Sequence, residues 1–74
     1  MSDIIHVYGT EIVIKECVED GVTFAKAWVK GDEDGANWTA LKMRENDWIG
    51  TAYGIEREGS SAEEALRELI KETL

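Results

Sequence analysis

Carboxylates dominate the chemistry this chain can offer, and several of them are spaced with regularity. Glu64, Glu68 and Glu72 stand four residues apart, so a helix would line them up on one stripe at ~6 Å steps. That interval resembles the separation of phosphates along a nucleic-acid strand. Like charges so placed cost about 0.2–0.5 kcal/mol per pair, and the negative end of the helix dipole further opposes Glu72. Asp32, Glu33 and Asp34 form a second cluster, Glu45 and Asp47 a third, and Glu56 and Glu58 a fourth. Such an anionic surface could dock on a basic nucleic-acid-binding channel and exclude the nucleic acid, with complementary potentials steering the encounter. Affinity also needs an anchor, which Trp38 or Trp48, each near an acidic turn, would supply. The candidate partner-binding residues are therefore Asp32, Glu33, Asp34, Glu45, Asp47, Glu64, Glu68, Glu72, Trp38 and Trp48. Plainer readings stand beside this one. An acidic helix face is commonly just a soluble one, a tryptophan commonly belongs to the core, and Glu63–Arg67, Glu64–Arg67 and Glu68–Lys71 pairs would relieve part of the repulsion.

Other chemistry is harder to build from these residues. Acid–base or nucleophilic catalysis needs a nucleophile, a base and an orienting group together. His6 sits in an apolar segment, Ser2 near the terminus, and Ser60 and Ser61 in a helix cap. Cys17 falls within an expected strand, where an inert buried thiol is the natural reading. Counting from Asp32, the sixth and twelfth positions hold Asn37 and Met43, where a calcium loop needs glycine and glutamate. Zinc would need clusters of Cys or His. Gly50 and Gly54 lie in a strand-like run and not ahead of a helix, so they form no phosphate cradle. The expectation is a protein that is not an enzyme and holds no cofactor or metal.

Composition bounds the rest. The chain has 74 residues, 16 Asp and Glu against 8 Lys and Arg, and a formal net charge of −8. This predicts one domain over residues 1–74, without direct nucleic-acid binding, since the chain repels phosphate. The lone Cys17 rules out a disulfide scaffold and fits a reducing cytoplasmic compartment. No apolar run approaches the ~18 residues of a membrane span. With 43% hydrophobic residues the chain folds despite its charge, as a monomer or a homodimer.

The elements that must position the carboxylates follow from periodicity. Ile4–Tyr8 reads as a strand, interrupted at Gly9-Thr10, and Glu11–Val18 as a second strand or its continuation past a bulge. Asp20-Gly21 between two β-rich runs marks a hairpin, with Val22–Lys30 returning. A two-residue loop there would set Lys15 directly opposite Lys26, an unfavourable pair. A three-residue loop, Glu19–Gly21, instead gathers Ile12, Ile14, Val18, Val22, Phe24 and Trp28 on one face, and is the preferred reading. Residues 31–35 form a polar loop, Asn37–Arg44 a strand, Glu45–Asp47 a turn, and Trp48–Arg57 a strand. In that last strand Gly50, Ala52 and Gly54 share a face on which something packs closely. The closing helix is the clearest element: Ser60 with Glu63, or Ser61 with Glu64, has capping-box spacing. Ala62, Ala65, Leu66, Leu69, Ile70, Thr73 and Leu74 recur as one apolar stripe. The expected fold class is α+β, an antiparallel meander of about four strands with one C-terminal helix packed on one face.

In length, acidity, tryptophan-rich sheet and capped helix, the chain resembles small acidic proteins of phages and mobile elements, in particular anti-CRISPR proteins. The resemblance implies a viral protein acting as an inhibitor and DNA mimic, through protein–protein contact with a basic nucleic-acid-binding Cas complex of the Cascade type, in the host cytoplasm. Locally, Gly59, Ser61, Glu63, Glu64, Ala65 and Leu66 are similar to the strand-to-helix passage of HicB-like antitoxins. That likeness implies an alternative role as an antitoxin or small oligomerising interaction module. HicB proteins usually add a DNA-binding segment, and no stretch of these 74 residues reads as one.

Overall fold

Asp20-Gly21 is the turn that organises the sheet. In the computed structural model, which describes residues 2–35 and 37–74, both of its residues have positive φ, 52° and 77°. That is the conformation required by the tight two-residue hairpins whose twist matches the strands. The strands it joins are β2 (Thr10–Glu19) and β3 (Val22–Val29), in register from Glu19↔Val22 to Ile12↔Val29. The loop therefore has two residues and not the three expected. Lys15 lies opposite Lys26, and Val22, Phe24 and Trp28 share a face with Val13 and Lys15, away from Ile12, Ile14 and Val18. Turn geometry prevails because the like-charge pair costs only ~0.2–1 kcal/mol, and both ammonium groups lie on an exposed face where their long side chains reach water.

The sheet has six antiparallel strands where about four were expected. They run in chain order: β1 (Ser2–Val7), β2, β3, β4 (Trp38–Arg44), β5 (Asp47–Ala52) and β6 (Ile55–Gly59). The difference comes from two Tyr-Gly turns. Tyr8-Gly9 joins β1 to β2 as a hairpin, and Tyr53-Gly54 splits the expected Trp48–Arg57 strand into β5 and β6. Gly54 thus leaves the face it was expected to share with Gly50 and Ala52, and Ile55 falls on the same face as Ala52. A β-bulge between Lys42 and Arg44 precedes the Glu45-Asn46 turn.

One face of the sheet receives α1 (Ala62–Thr73). Ser61 caps the helix, its hydroxyl accepting from the Glu64 N–H at 3.1 Å, and so occupies an orphan donor of the first turn. Ala62, Ala65, Leu66, Leu69 and Ile70 are buried against Ile5, Val7, Ile12, Ile14, Ala25, Ala27, Trp38, Ala40, Trp48 and Ala52. Leu66, Leu69 and Ile70 each contribute on the order of 2 kcal/mol by leaving water, which secures a helix too short to persist alone. The helix lies chiefly over β4, β5 and β6. Close approach is bought with small residues: a Cβ on Gly50 would lie 3.3 Å from the Ala65 carbonyl oxygen, and one on Gly59 only 2.4 Å from the Ala65 nitrogen. The flank towards β1 is tied by Arg67, whose Nη1 donates to the His6 carbonyl at 2.9 Å. Among the described residues no helix is long and apolar enough to cross a membrane.

Candidate interaction site

Asp32, Glu33 and Asp34 lie in the connection from β3 to β4, where Glu33–Gly35 makes a single 3₁₀ turn. The Asp32 N–H donates to the Val29 carbonyl at 2.9 Å, and the Gly35 N–H to the Asp32 carbonyl at 3.0 Å. The Asp32 carboxylate folds back over Gly35, so a Cβ at 35 would stand 2.7 Å from it and turn that exposed side chain outward. All three acidic side chains are exposed, and none takes part in an ion pair among the described residues. The nearest lysine in sequence, Lys30, is engaged by Glu11 at 3.5 Å.

An antiparallel meander places alternate turns at the same end of the sheet. The acidic residues Asp32, Glu33 and Asp34, in the connection from β3 to β4, therefore share their end with the Tyr8-Gly9 and Tyr53-Gly54 turns. Tyr8 is 73% exposed and Tyr53 68% exposed. These solvent-facing aromatic rings stand at the same end of the sheet as the acidic loop, and sequence reasoning passed over them. The signal available was an X-Gly dipeptide between two β-rich runs, obscured because tyrosine is itself a strand former.

The remaining candidates are distributed elsewhere. Glu45 lies at the opposite end, 3.6 Å from Lys42, and Asp47 pairs in register with Arg44. On α1, Glu64, Glu68 and Glu72 are exposed as expected, yet each has a local partner. Ser60 donates its hydroxyl to Glu64 at 2.8 Å, Lys71 meets Glu68 at 3.2 Å, and Arg57 of β6 grips Glu72 through both Nε and Nη2, the latter at 2.8 Å. The Arg57 hydrogen bond holds the Glu72 carboxyl below its usual range, and the reciprocal bond raises the Arg57 guanidinium. Arg67 pairs with Glu63 at 3.3 Å and not with Glu64.

Trp38 and Trp48 do not join the surface. Both are buried between sheet and helix, at 3% and 5% exposure. The Trp38 indole N–H donates to Thr73 Oγ1 at 2.8 Å, and the Thr73 hydroxyl donates on to the Leu69 carbonyl at 3.0 Å. A buried indole finds its partner in this way without leaving the core. Neither ring can anchor a partner while α1 is docked.

The groups considered for catalysis are also dispersed. The His6 side chain is exposed near one sheet edge, and Cys17 is half-buried on the face away from the helix and not enclosed as a strand thiol was expected to be. Among the described residues no three His, Cys, Asp or Glu side chains are grouped so as to hold a metal ion. Comparison with known proteins adds nothing further: no family model, no curated protein and no solved structure matches the chain.

Proposed function

We propose that this protein is a small acidic protein-binding inhibitor of the anti-CRISPR kind, acting in the cytoplasm of a phage host. It would cover a basic nucleic-acid-binding surface of a Cascade-type complex, offering carboxylates where the complex expects phosphates. One observation supports this reading above the others: Asp32, Glu33 and Asp34 are exposed, lack ion pairs among the described residues, and share their end of the sheet with the exposed rings of Tyr8 and Tyr53. Unneutralised carboxylates steer a cationic partner, and tyrosine is among the residues that most often carry binding energy at an interface. The helix stripe is the weaker contact surface, since Lys71 and Arg57 already answer Glu68 and Glu72.

The test is displacement of target DNA from a purified Cascade-type complex, followed by fluorescence anisotropy at low and high salt. The expected result is loss of DNA binding on addition of the protein, weakening steeply as salt rises. Asp32→Lys with Asp34→Lys should reduce the inhibition at least about tenfold, and Glu68→Lys much less. DNA binding that persists at saturating protein, or inhibition unchanged by the loop reversal in a folded variant, overturns the reading.

A further inference from the structure

The sheet face turned away from α1 carries a pattern that the acidic end does not explain. Register sets two adjacent rows across it. Cys17, Phe24, Leu41, Ile49 and Glu58 stand side by side from β2 to β6, and Lys15, Lys26, Thr39, Thr51 and Glu56 form the neighbouring row. The first row is apolar over four strands, and Leu41 remains 42% exposed. The second has two lysines at one end, two threonines in the middle and a carboxylate at the other end. Neither lysine has an ion pair among the described residues, in a chain with twice as many acids as bases.

A row that begins with cations and ends with a carboxylate is complementary to its own reverse. We infer that this face pairs with the same face of a second copy of the chain, about a two-fold axis running parallel to the strands. That operation lays β2 and β3 of one copy towards β5 and β6 of the other. It brings Lys15 and Lys26 within reach of the opposing Glu56 and sets the apolar row against itself. Two-fold closure with self-complementary patches is the commonest way for identical chains to associate, and sheets pack face to face at ~10 Å, a gap that lysine and leucine side chains fill. Six strands about 4.8 Å apart and about 20 Å long present roughly 500 Å² per copy, enough for the ~1,000 Å² total of a specific interface. The facing lysines, unfavourable in one copy alone, then acquire partners. The inference uses a face separate from the acidic end, so it and the proposed function stand or fall independently.

Sedimentation and light scattering from low micromolar to about 500 µM test it. The expected result is a concentration-dependent shift from 8.3 kDa to twice that mass. Leu41→Glu should abolish the shift. Lys15→Glu and Glu56→Lys should each raise the dimer dissociation constant about tenfold or more, and the two combined should restore it, since the swap re-forms the pairing across the axis. Circular dichroism and thermal melts establish that each variant is folded. A chain that stays monomeric at the highest concentration overturns the inference, as does a dimer indifferent to all of these changes. Face-dependent binding of a poly-glutamate peptide by a monomeric chain also overturns it, and would make an acidic partner the occupant.

Discussion

Tyr8 and Tyr53 hold the same backbone conformation, φ 51° and 52°, as the first residue of two Tyr-Gly hairpin turns at one end of the sheet. A bulky residue with positive φ is uncommon, costing on the order of 1–2 kcal/mol where glycine or asparagine costs little. Tyr8→Asn and Tyr53→Asn supply the residue that such a turn favours. Each should raise unfolding free energy by about 0.5–1 kcal/mol in urea denaturation, while weakening partner binding if the rings are contacts. A variant neither stabilised nor altered in binding would show that the tyrosines carry neither strain nor contact.

Gly59 and Gly50 make a graded pair beneath the helix. A Cβ at 59 meets the Ala65 backbone at 2.4 Å, whereas one at 50 meets the Ala65 carbonyl oxygen and a Leu69 methyl at 3.3 Å, a contact relieved by a shift of a few tenths of an ångström. Gly59→Ala must lift α1 off β6 and should cost about 2 kcal/mol or more, lowering Tm by roughly 10 °C in a chain of this length. Gly50→Ala should cost less than half as much. Equal melting temperatures for the two variants would refute the close-contact account.

The Arg57–Glu72 pair gives a pH dependence with a definite sign. Glu72 is lowered by its hydrogen bond to Arg57, so its contribution is complete above the ordinary carboxylate range and disappears as pH falls through the lowered value. Arg57, raised by the same bond, stays charged throughout and adds no slope. Denaturant titrations from about pH 7 to about pH 2 should therefore show wild type losing more stability than Glu72→Gln, with the two curves converging in acid. Both side chains are near half-exposed, so added salt should narrow the gap. Parallel curves at all pH values would mean that the pair adds no stability.

Much of the fold was legible along the chain. The 3.6-residue stripe from Ala62 to Ile70, a helix cap at Ser60 or Ser61 and a hairpin turn around Asp20-Gly21 depend on neighbours a few positions away, and local chemistry suffices to read them. The choice of Ser61 and of a two-residue loop came only with the structure. The i,i+3 and i,i+4 pairs, Lys71 with Glu68 and Arg67 with Glu63, were legible for the same reason. The strand count was not, because Tyr8 and Tyr53 look like strand residues and only the pairing of their flanks makes them turns. The face of β3 was not legible either, because one exposed like-charge pair, Lys15 opposite Lys26, weighs less than the twist preference of a two-residue turn.

The sequence by itself determined an acidic α+β chain whose closing helix must bury one apolar side, since charge, composition and periodicity are properties of the string. Only the tertiary structure decided which carboxylates stand free. It spent Arg57 on Glu72, fifteen positions away, and folded Trp38 and Trp48 under the helix. It also left Asp32, Glu33 and Asp34 at an end shared with Tyr8 and Tyr53. Neutralisation and burial depend on distances across the sheet, and those are set by strand order and register once the chain has closed on itself.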